Sequence, residues 1–146
     1  MTEVNPTILL VEDNPSDADL VIRALKRSGL QASIARAHDG VEAVDYLMSA
    51  AASGGAAGLP QLVLLDCKLP KLTGVEVLER IRADPRLSHL VVVMLTSSME
   101  GRDVTEAYRA GVNSYVVKPV EFEAFFEAVG RVGQYWLGLN QRSPSV

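Results

Sequence analysis

The chain has 146 residues, of which 48% are hydrophobic and 22% are charged, which suits one globular domain and excludes disordered and collagen-like chains. The net charge is −4, and no basic stripe of the kind that binds nucleic acid is present. Cys67 is the only cysteine, so an internal disulfide is impossible. Met1–Pro6 lacks signal-peptide features and no apolar run reaches the ~18 residues of a membrane span, so we expect a cytoplasmic protein that binds neither nucleic acid nor membrane.

The first part of the chain alternates apolar runs with amphipathic helical patterns. Thr7–Val11 predicts a strand, and the turn at Asn14 begins a helix that ends at Gly29. Ser33–Ala37 predicts a second, weaker strand, and a second helical stripe starts at Val41. These elements form the first two strand-and-helix units.

A run of small residues, Ser49–Gly58, follows and is predicted to be a flexible loop inside the domain. The unbroken apolar run Leu62–Leu65 then predicts a third strand, buried on both faces. A helix with its apolar stripe starting at Val75 follows. It stops near Asp84, because Pro85 disfavours a helical residue before it.

The last part of the chain repeats the alternation. Leu90–Leu95 predicts a fourth strand, a short helix ends near Gly111, Ser114–Val117 predicts a fifth strand, and Glu121–Leu137 predicts the last helix. Five strands alternating with five helices imply an α/β fold with a doubly wound, five-stranded parallel sheet and three layers. We therefore expect a single domain over residues 1–146, with a core at 7–137 and a polar tail at 138–146.

Polar side chains that suit phosphate or metal chemistry follow four of the five predicted strands. They are Glu12-Asp13 after the first strand, Asp66 after the third, Thr96 at the end of the fourth and Lys118 after the fifth. The carboxyl ends of parallel strands meet at one edge of the sheet, where ligands bind in such folds. Three carboxylates brought together there repel one another unless a hard divalent cation such as Mg²⁺ neutralises them.

Chemical type suggests a role for each of these residues. Asp66 follows the most continuous apolar strand and is the candidate nucleophile, since a carboxylate can form an acyl phosphate. Asp13 and Glu12 are candidates for holding the metal. Lys118 supplies positive charge for phosphoryl oxygens, and the Thr96 hydroxyl can donate to one of them. Each residue alone is also compatible with helix capping or surface exposure, so the prediction rests on their combination.

Four sequence segments resemble the receiver domain of bacterial response regulators. They are ILLVEDNP at 8–15, LVLLDCKLPKLTG at 62–74, VVVMLTSS at 91–98 and AGVNSYVVKPV at 110–120. The resemblance covers roughly residues 7–137 and implies a flavodoxin-like receiver fold with strand order 2-1-3-4-5. It implies a role in two-component signal transduction, as a phosphoprotein and not an enzyme, in which an aspartate accepts a phosphoryl group from a sensor histidine kinase.

The resemblance also assigns the metal site position by position. Asp66 matches the phosphoacceptor and contributes to a Mg²⁺ (or Mn²⁺) site. Asp13 matches the main acidic ligand, and Glu12 is implied to act directly or through water. The backbone carbonyl of Lys68 is implied to be a further ligand. Cys67 and Lys68 depart from the residues more usual after the acceptor, which leaves the phosphoryl lifetime open.

The switch residues are implied in the same way. Thr96 matches the switch hydroxyl of the family, Tyr115 the switch aromatic and Lys118 the lysine. Lys118-Pro119 is expected to be a cis peptide, which proline tolerates at low cost. The implied mechanism is that Thr96 moves toward a new phosphoryl group and Tyr115 turns inward into the vacated space. The surface of the fourth helix, fifth strand and fifth helix then changes.

More narrowly, the chain resembles single-domain regulators paired with bacterial phytochrome kinases. This resemblance rests on DNPSDADL at 13–20, DGVEAVDYL at 39–47, the small-residue insertion, NSYVVKP at 113–119 and QYWL at 134–137. Only one helix and a short tail follow Lys118, so no attached output domain is expected and the output would be contact with a downstream protein. Phe126 and Tyr135 exceed what one apolar stripe of the last helix needs, which predicts a homodimer contact.

Other interpretations share parts of this pattern. An Asp-nucleophile phosphatase of the haloacid dehalogenase type needs a second Asp two residues after the acceptor, where Lys68 stands. A nucleotide- or flavin-binding module would show a glycine-rich phosphate loop after a strand, and none is present. A phosphate-shuttling receiver within a phosphorelay would carry the same site residues. A degenerate receiver would lack some of them, and all are present.

Overall fold

Five strands and five α-helices alternate along residues 7–141, the part of the chain that the structure, a computed structural model, describes. The strands are β1 Thr7–Val11, β2 Ser33–Ala37, β3 Leu62–Leu65, β4 Val92–Thr96 and β5 Ser114–Val117. The helices are α1 Pro15–Arg27, α2 Gly40–Gly54, α3 Gly74–Ala83, α4 Gly101–Arg109 and α5 Phe122–Gln134. The strands pair in parallel in the order β2-β1-β3-β4-β5, which confirms the predicted doubly wound topology.

The register of the sheet places the carboxyl ends of the strands side by side. Val11 at the end of β1 pairs with Ala37 of β2 and with Leu65 of β3. Leu65 in turn pairs with Met94 of β4. The residues that follow these strands therefore lie along one edge of the sheet, as expected.

The central strands are buried on both faces, which explains their unbroken apolar runs. On one face, residues such as Leu9 and Leu65 pack against α2, α3 and α4. On the other face, residues such as Ile8 and Leu64 pack against α1 and α5. The sheet is thus the middle of three layers.

The segment Ser49–Gly58 is not the flexible loop that was predicted. α2 continues through it to Gly54, and a 3₁₀ turn covers Gly55–Gly58. Its alanines are strong helix formers, so the helix runs on until the glycines end it. A Cβ at Gly58 would lie 2.8 Å from the Ala50 carbonyl oxygen, so this turn packs closely onto α2.

The fourth strand starts at Val92 and not at Leu90 as predicted. The Leu90 amide donates to the Leu87 carbonyl in a turn, 3.0 Å away. The Leu90 carbonyl accepts a hydrogen bond of 2.7 Å from the Arg82 guanidinium. Both backbone groups of Leu90 are therefore engaged outside the sheet, and an apolar run alone does not reveal this.

The last helix is shorter than predicted, because α5 ends at Gln134 and a π-helical turn covers Tyr135–Leu139. The sequence suggested that Phe126 was surplus to the apolar stripe of this helix, but Phe126 is not free on the surface. It is half-buried, and the Arg27 guanidinium of α1 lies 5.1 Å from its ring centre. Tyr135 is exposed at 46%. No helix described within residues 7–141 is long and apolar enough to cross a membrane.

Candidate functional site

The loop after β1 is held by its own side chains. The Glu12 amide donates to the Ala37 carbonyl at 3.1 Å, which extends the β1–β2 pairing by one residue. Asn14 then caps α1, since its side-chain oxygen accepts from the amides of Ser16 and Asp17 at 2.9 and 3.1 Å. The Asn14 amide donates to Glu12 Oε2 at 3.2 Å. The sheet and the helix cap together therefore fix the Glu12 side chain.

Asp66 follows β3 and is placed by a tight turn into α3. Its amide donates to the Val11 carbonyl at 3.2 Å, so β1 positions the acceptor backbone. The Gly74 amide donates to the Cys67 carbonyl at 2.9 Å, which closes the turn. A Cβ at Gly74 would lie 2.3 Å from the Asp66 carbonyl oxygen, so only glycine fits there without displacing the loop.

Three carboxylates meet at this edge of the sheet. One oxygen from each of Glu12, Asp13 and Asp66 lies within 4.8 Å of the other two. Glu12 is buried, Asp66 is half-buried and Asp13 is exposed. An all-oxygen set of this charge, open on the Asp13 side, fits a hard divalent cation such as Mg²⁺ or Mn²⁺.

Lys118 provides the positive charge of the cluster. Its Nζ lies 2.5 Å from Glu12 Oε1, 3.7 Å from Asp17 Oδ2 and 3.8 Å from Asp66 Oδ2. Its amide donates to the Thr96 carbonyl at 2.7 Å, so β4 fixes the base of this side chain. Burial alone would lower the pKa of the ammonium, but the bond and charge of Glu12 and the charges of Asp66 and Asp17 raise it. Lys118 therefore stays charged at neutral pH.

The surroundings of Glu12 change the titration of its carboxyl group. Burial raises the pKa of its carboxyl group, and the negative charge of Asp66 adds to this. The hydrogen bond and charge of Lys118 oppose that rise, as does the Asn14 amide. As pH falls, the Glu12 carboxylate is therefore protonated at a higher pH than an ordinary glutamate.

Thr96 and Tyr115 lie on the β4–β5 side of the cluster. Thr96 is buried, and its hydroxyl oxygen accepts from the Ser98 amide at 3.3 Å. The Tyr115 hydroxyl donates to the Ser98 carbonyl at 2.8 Å, and Cys67 Sγ lies 3.5 Å from the same hydroxyl. Tyr115 thus already faces inward while the Thr96 hydroxyl is still bonded to the Ser98 amide. The implied mechanism had Tyr115 turn inward only after Thr96 moved.

The structure brings together most of the residues that the sequence singled out. Glu12, Asp13, Asp66 and Lys118 form one cluster, with Thr96 beside it. The Lys68 amide lies 3.4 Å from Asp66 Oδ1, so this residue borders the cluster, and the role of its carbonyl stays a prediction.

The expected cis peptide at Lys118-Pro119 is wrong, because no peptide bond within residues 7–141 is cis. The two isomers of a peptide before proline differ by only ~0.5–1 kcal/mol, so local sequence does not decide between them.

Two acidic residues at this edge were not predicted. Asp17 reaches Lys118 from the first turn of α1, and its signal was its place just after Asn14, the residue that begins this helix. Asp103 of α4 accepts a short hydrogen bond from the Ser98 hydroxyl, which ties the loop after β4 to that helix. No sequence pattern pointed to this second contact.

Comparison with known proteins assigns the class of this chain. The model of the response regulator receiver domain matches residues 8–130. The chain therefore belongs to the response regulator receiver domain family, which consists of signalling proteins and not of classical enzymes.

Particular relatives cover nearly the whole chain. The probable methanogenesis regulatory protein FilR2 of Methanothrix harundinacea is 46% identical over 94% of this chain and 86% of its own. The bacteriophytochrome response regulator AtBRR is 46% identical, with a TM-score of 0.72 over 95% of this chain and 100% of its own. The phosphorylated cyanobacterial phytochrome response regulator RcpA is 36% identical, with a TM-score of 0.86 over 97% of this chain and 100% of its own.

A further solved structure bears on the metal site. The Mn²⁺-bound form of the response regulator Rcp1 is 34% identical to this chain, with a TM-score of 0.83 over 94% of this chain and 99% of its own. A similar protein thus binds a divalent cation of the kind that the acidic cluster fits.

Proposed function

We propose that Asp66 accepts a phosphoryl group from a phosphohistidine of a sensor histidine kinase, in a reaction that requires Mg²⁺ or Mn²⁺. The observation that carries this proposal is the setting of the Asp66 carboxylate. Oxygens of Glu12 and Asp13 lie within 4.8 Å of it, and the Lys118 ammonium lies 3.8 Å from its Oδ2. A nucleophilic carboxylate, a cation site and a fixed positive charge are the parts that phosphoryl transfer needs.

The transfer is an in-line displacement at phosphorus. An Asp66 carboxylate oxygen forms the new bond while the bond from phosphorus to the donor imidazole nitrogen breaks. The imidazole leaves with that electron pair as a neutral ring, because its other nitrogen carries a proton. Asp13, Glu12, Asp66 and the Lys68 carbonyl would hold the cation, whose positive charge would offset the charge of the phosphoryl oxygens.

Lys118 and Thr96 act on the transferred group. Lys118 is charged and held at the edge by Glu12, and we expect it to shift from Glu12 to a phosphoryl oxygen. Thr96 exchanges its bond with the Ser98 amide for a bond to another phosphoryl oxygen. Because the same loop carries the Ser98 carbonyl that binds Tyr115, this exchange changes the support of the aromatic ring.

We further propose that residues 1–146 act as one receiver domain in the cytoplasm, with a phytochrome-type kinase as the phosphodonor. AtBRR and RcpA are named as phytochrome response regulators, which supports this donor, whereas FilR2, which is as identical to this chain as AtBRR, is named for methanogenesis. The output is contact with a downstream protein and a homodimer through the C-terminal helix region. Phe122, Tyr135 and Leu139 support the dimer, because they are 61%, 46% and 81% exposed.

The central test is phosphoryl transfer from a labelled, phosphorylated kinase domain in the presence of Mg²⁺. Asp66→Asn should take up no label, since an amide is not a nucleophile for phosphorus. Asp19→Asn is the matched control, because Asp19 lies on α1 with a 58% exposed side chain paired to Arg23. Label on Asp66→Asn at the wild-type rate would contradict the assignment.

The donor class is tested by comparing two kinases. Transfer from a phytochrome-type kinase should be faster than transfer from a chemotaxis-type kinase.

A further inference from the structure

Arg36, next to the last residue of β2, binds the loop that carries two of the acidic residues. Its Nε and Nη2 donate to the Glu12 carbonyl oxygen at 3.3 and 3.1 Å. Its Nη2 also lies 3.5 Å from the Asp13 carbonyl oxygen. Since the Glu12 amide donates to the Ala37 carbonyl, both backbone groups of Glu12 are bonded to β2.

This contact begins where strand pairing ends. The last paired residues of β1 and β2 are Val11 and Ala37. The chain after Ala37 turns away, and Asp39 caps α2 by accepting from the Glu42 amide at 2.8 Å. No backbone N–H of β2 therefore donates to the Glu12 carbonyl, and the Arg36 guanidinium donates to it instead.

Arg36 acts on the backbone and not on the acidic side chains. Within residues 7–141 it forms no ion pair with any carboxylate, and it is half-buried. The Glu12 carboxylate is instead bound by Lys118 and by the Asn14 amide. The planar fork of arginine suits two donations to one carbonyl, which the single ammonium of lysine does not reproduce.

We propose that Arg36 is a positioning residue for the cation site. By fixing the peptide between Glu12 and Asp13, it sets the direction from which the Asp13 side chain leaves the backbone. Asp13 is the exposed member of the cluster, so it depends most on its backbone for orientation. This inference rests on the proposed cation site, and it is independent of phosphoryl transfer to Asp66.

The first experiment measures Mn²⁺ binding by electron paramagnetic resonance for the wild type, Arg36→Met and Arg36→Lys. Loss of an outer contact that orients a ligand typically weakens metal affinity by about tenfold or more, and we expect that for Arg36→Met. Arg36→Lys should also bind more weakly than wild type, because it keeps the charge but loses the fork. Arg23→Met is the matched control for charge, since Arg23 is 68% exposed and Asp19 is its one ion-pair partner among residues 7–141.

The second experiment measures amide hydrogen exchange at Asp13 and Asn14 in metal-free protein. Both amides should exchange faster in Arg36→Met and Arg36→Lys, and at the wild-type rate in Arg23→Met. Wild-type Mn²⁺ affinity in Arg36→Lys would assign any effect to charge and overturn the proposal, as would equal affinities for Arg36→Met and Arg23→Met. If Asp13→Asn leaves Mn²⁺ binding unchanged, the cation site itself fails, and the exchange rates still decide whether Arg36 fixes the loop.

Discussion

The Tyr115 hydroxyl lies 2.8 Å from the Ser98 carbonyl oxygen, to which it donates a hydrogen bond that joins β5 to the loop after β4. Burial raises the pKa of this phenol well above its ordinary value, and the nearby Cys67 thiol contributes to the rise. Folding therefore favours the neutral ring. The resulting stabilisation is present below the ordinary tyrosine pKa and is lost as pH rises above it.

Tyr115 is therefore expected to ionise at a higher pH in the folded protein than an ordinary tyrosine does. Ultraviolet absorbance of tyrosinate, followed while the pH is raised, should show a late fraction that disappears in Tyr115→Phe. Tyr108→Phe is the control, because Tyr108 is 52% exposed and the late fraction should persist in this variant. A Tyr115→Phe curve that still contains the late fraction would disprove the assignment.

Cys67 should be a poorly reactive thiol. It is buried, and burial raises its pKa, to which the charges of Asp103 and Asp66 add. Each pKa unit lowers the thiolate fraction about tenfold at neutral pH. Alkylation by iodoacetamide should therefore be slow in the folded protein and fast after denaturation. Tyr115→Ala should accelerate it by uncovering the sulfur, whereas fast alkylation of the folded wild type would count against the prediction.

Lys118→Met should separate phosphoryl transfer from cation binding. The ammonium neutralises part of the acidic cluster, so its removal leaves more negative charge for the cation, and Mn²⁺ should bind more tightly. Transfer to Asp66 should fall by about 100-fold or more, since removal of one group that stabilises developing charge costs that much. Lys71→Met is the control, because Lys71 is 64% exposed and pairs with Asp39. Equal losses of binding and transfer would exclude this division of roles.

As pH falls, cation affinity should begin to decline at a higher pH than the protonation of an ordinary glutamate would cause. Ligands must be deprotonated to bind a metal, and the pKa of Glu12 is raised above 4.5 by burial and by Asp66. Mn²⁺ affinity should therefore decline as pH falls through that raised pKa. In Glu12→Gln the affinity is lower throughout, and the decline moves to more acidic pH. Calorimetry at several pH values measures the affinity and the pH at which it declines. If that pH is the same in Glu12→Gln as in the wild type, protonation of Glu12 is not the cause of the decline.

Gly74→Ala should disturb the acceptor loop. The added methyl group would lie 2.3 Å from the Asp66 carbonyl oxygen, so the turn into α3 must shift. We expect the free energy of unfolding to drop by about 1–3 kcal/mol, the usual cost of overpacking, together with weaker Mn²⁺ binding. Gly54→Ala is the control, because nothing lies within 4 Å of a Cβ there. Thermal unfolding with and without Mn²⁺ measures both effects, and equal stabilities of the two variants would refute the prediction.

The strands and the acidic cluster were predictable from sequence because each leaves a local signal. A strand buried on both faces is an unbroken apolar run such as Leu62–Leu65, and parallel strands bring the residues after them to one edge. The roles of Arg36 and Phe126 were not predictable, because each depends on a neighbouring element that the local pattern does not contain. Arg36 reaches across from β2 to β1, and α1 covers the ring of Phe126 with Arg27.

Glu12 also joins two segments that lie far apart along the chain. Its carboxylate binds Lys118, 106 positions away, while its backbone is bonded to β2. Contacts between positions so distant carry a large loop-closure entropy cost, which slows folding. A nascent chain that ends before β5 carries the acidic cluster without its lysine. A cation that binds there in the folded state and not in the unfolded chain would stabilise the protein against global unfolding.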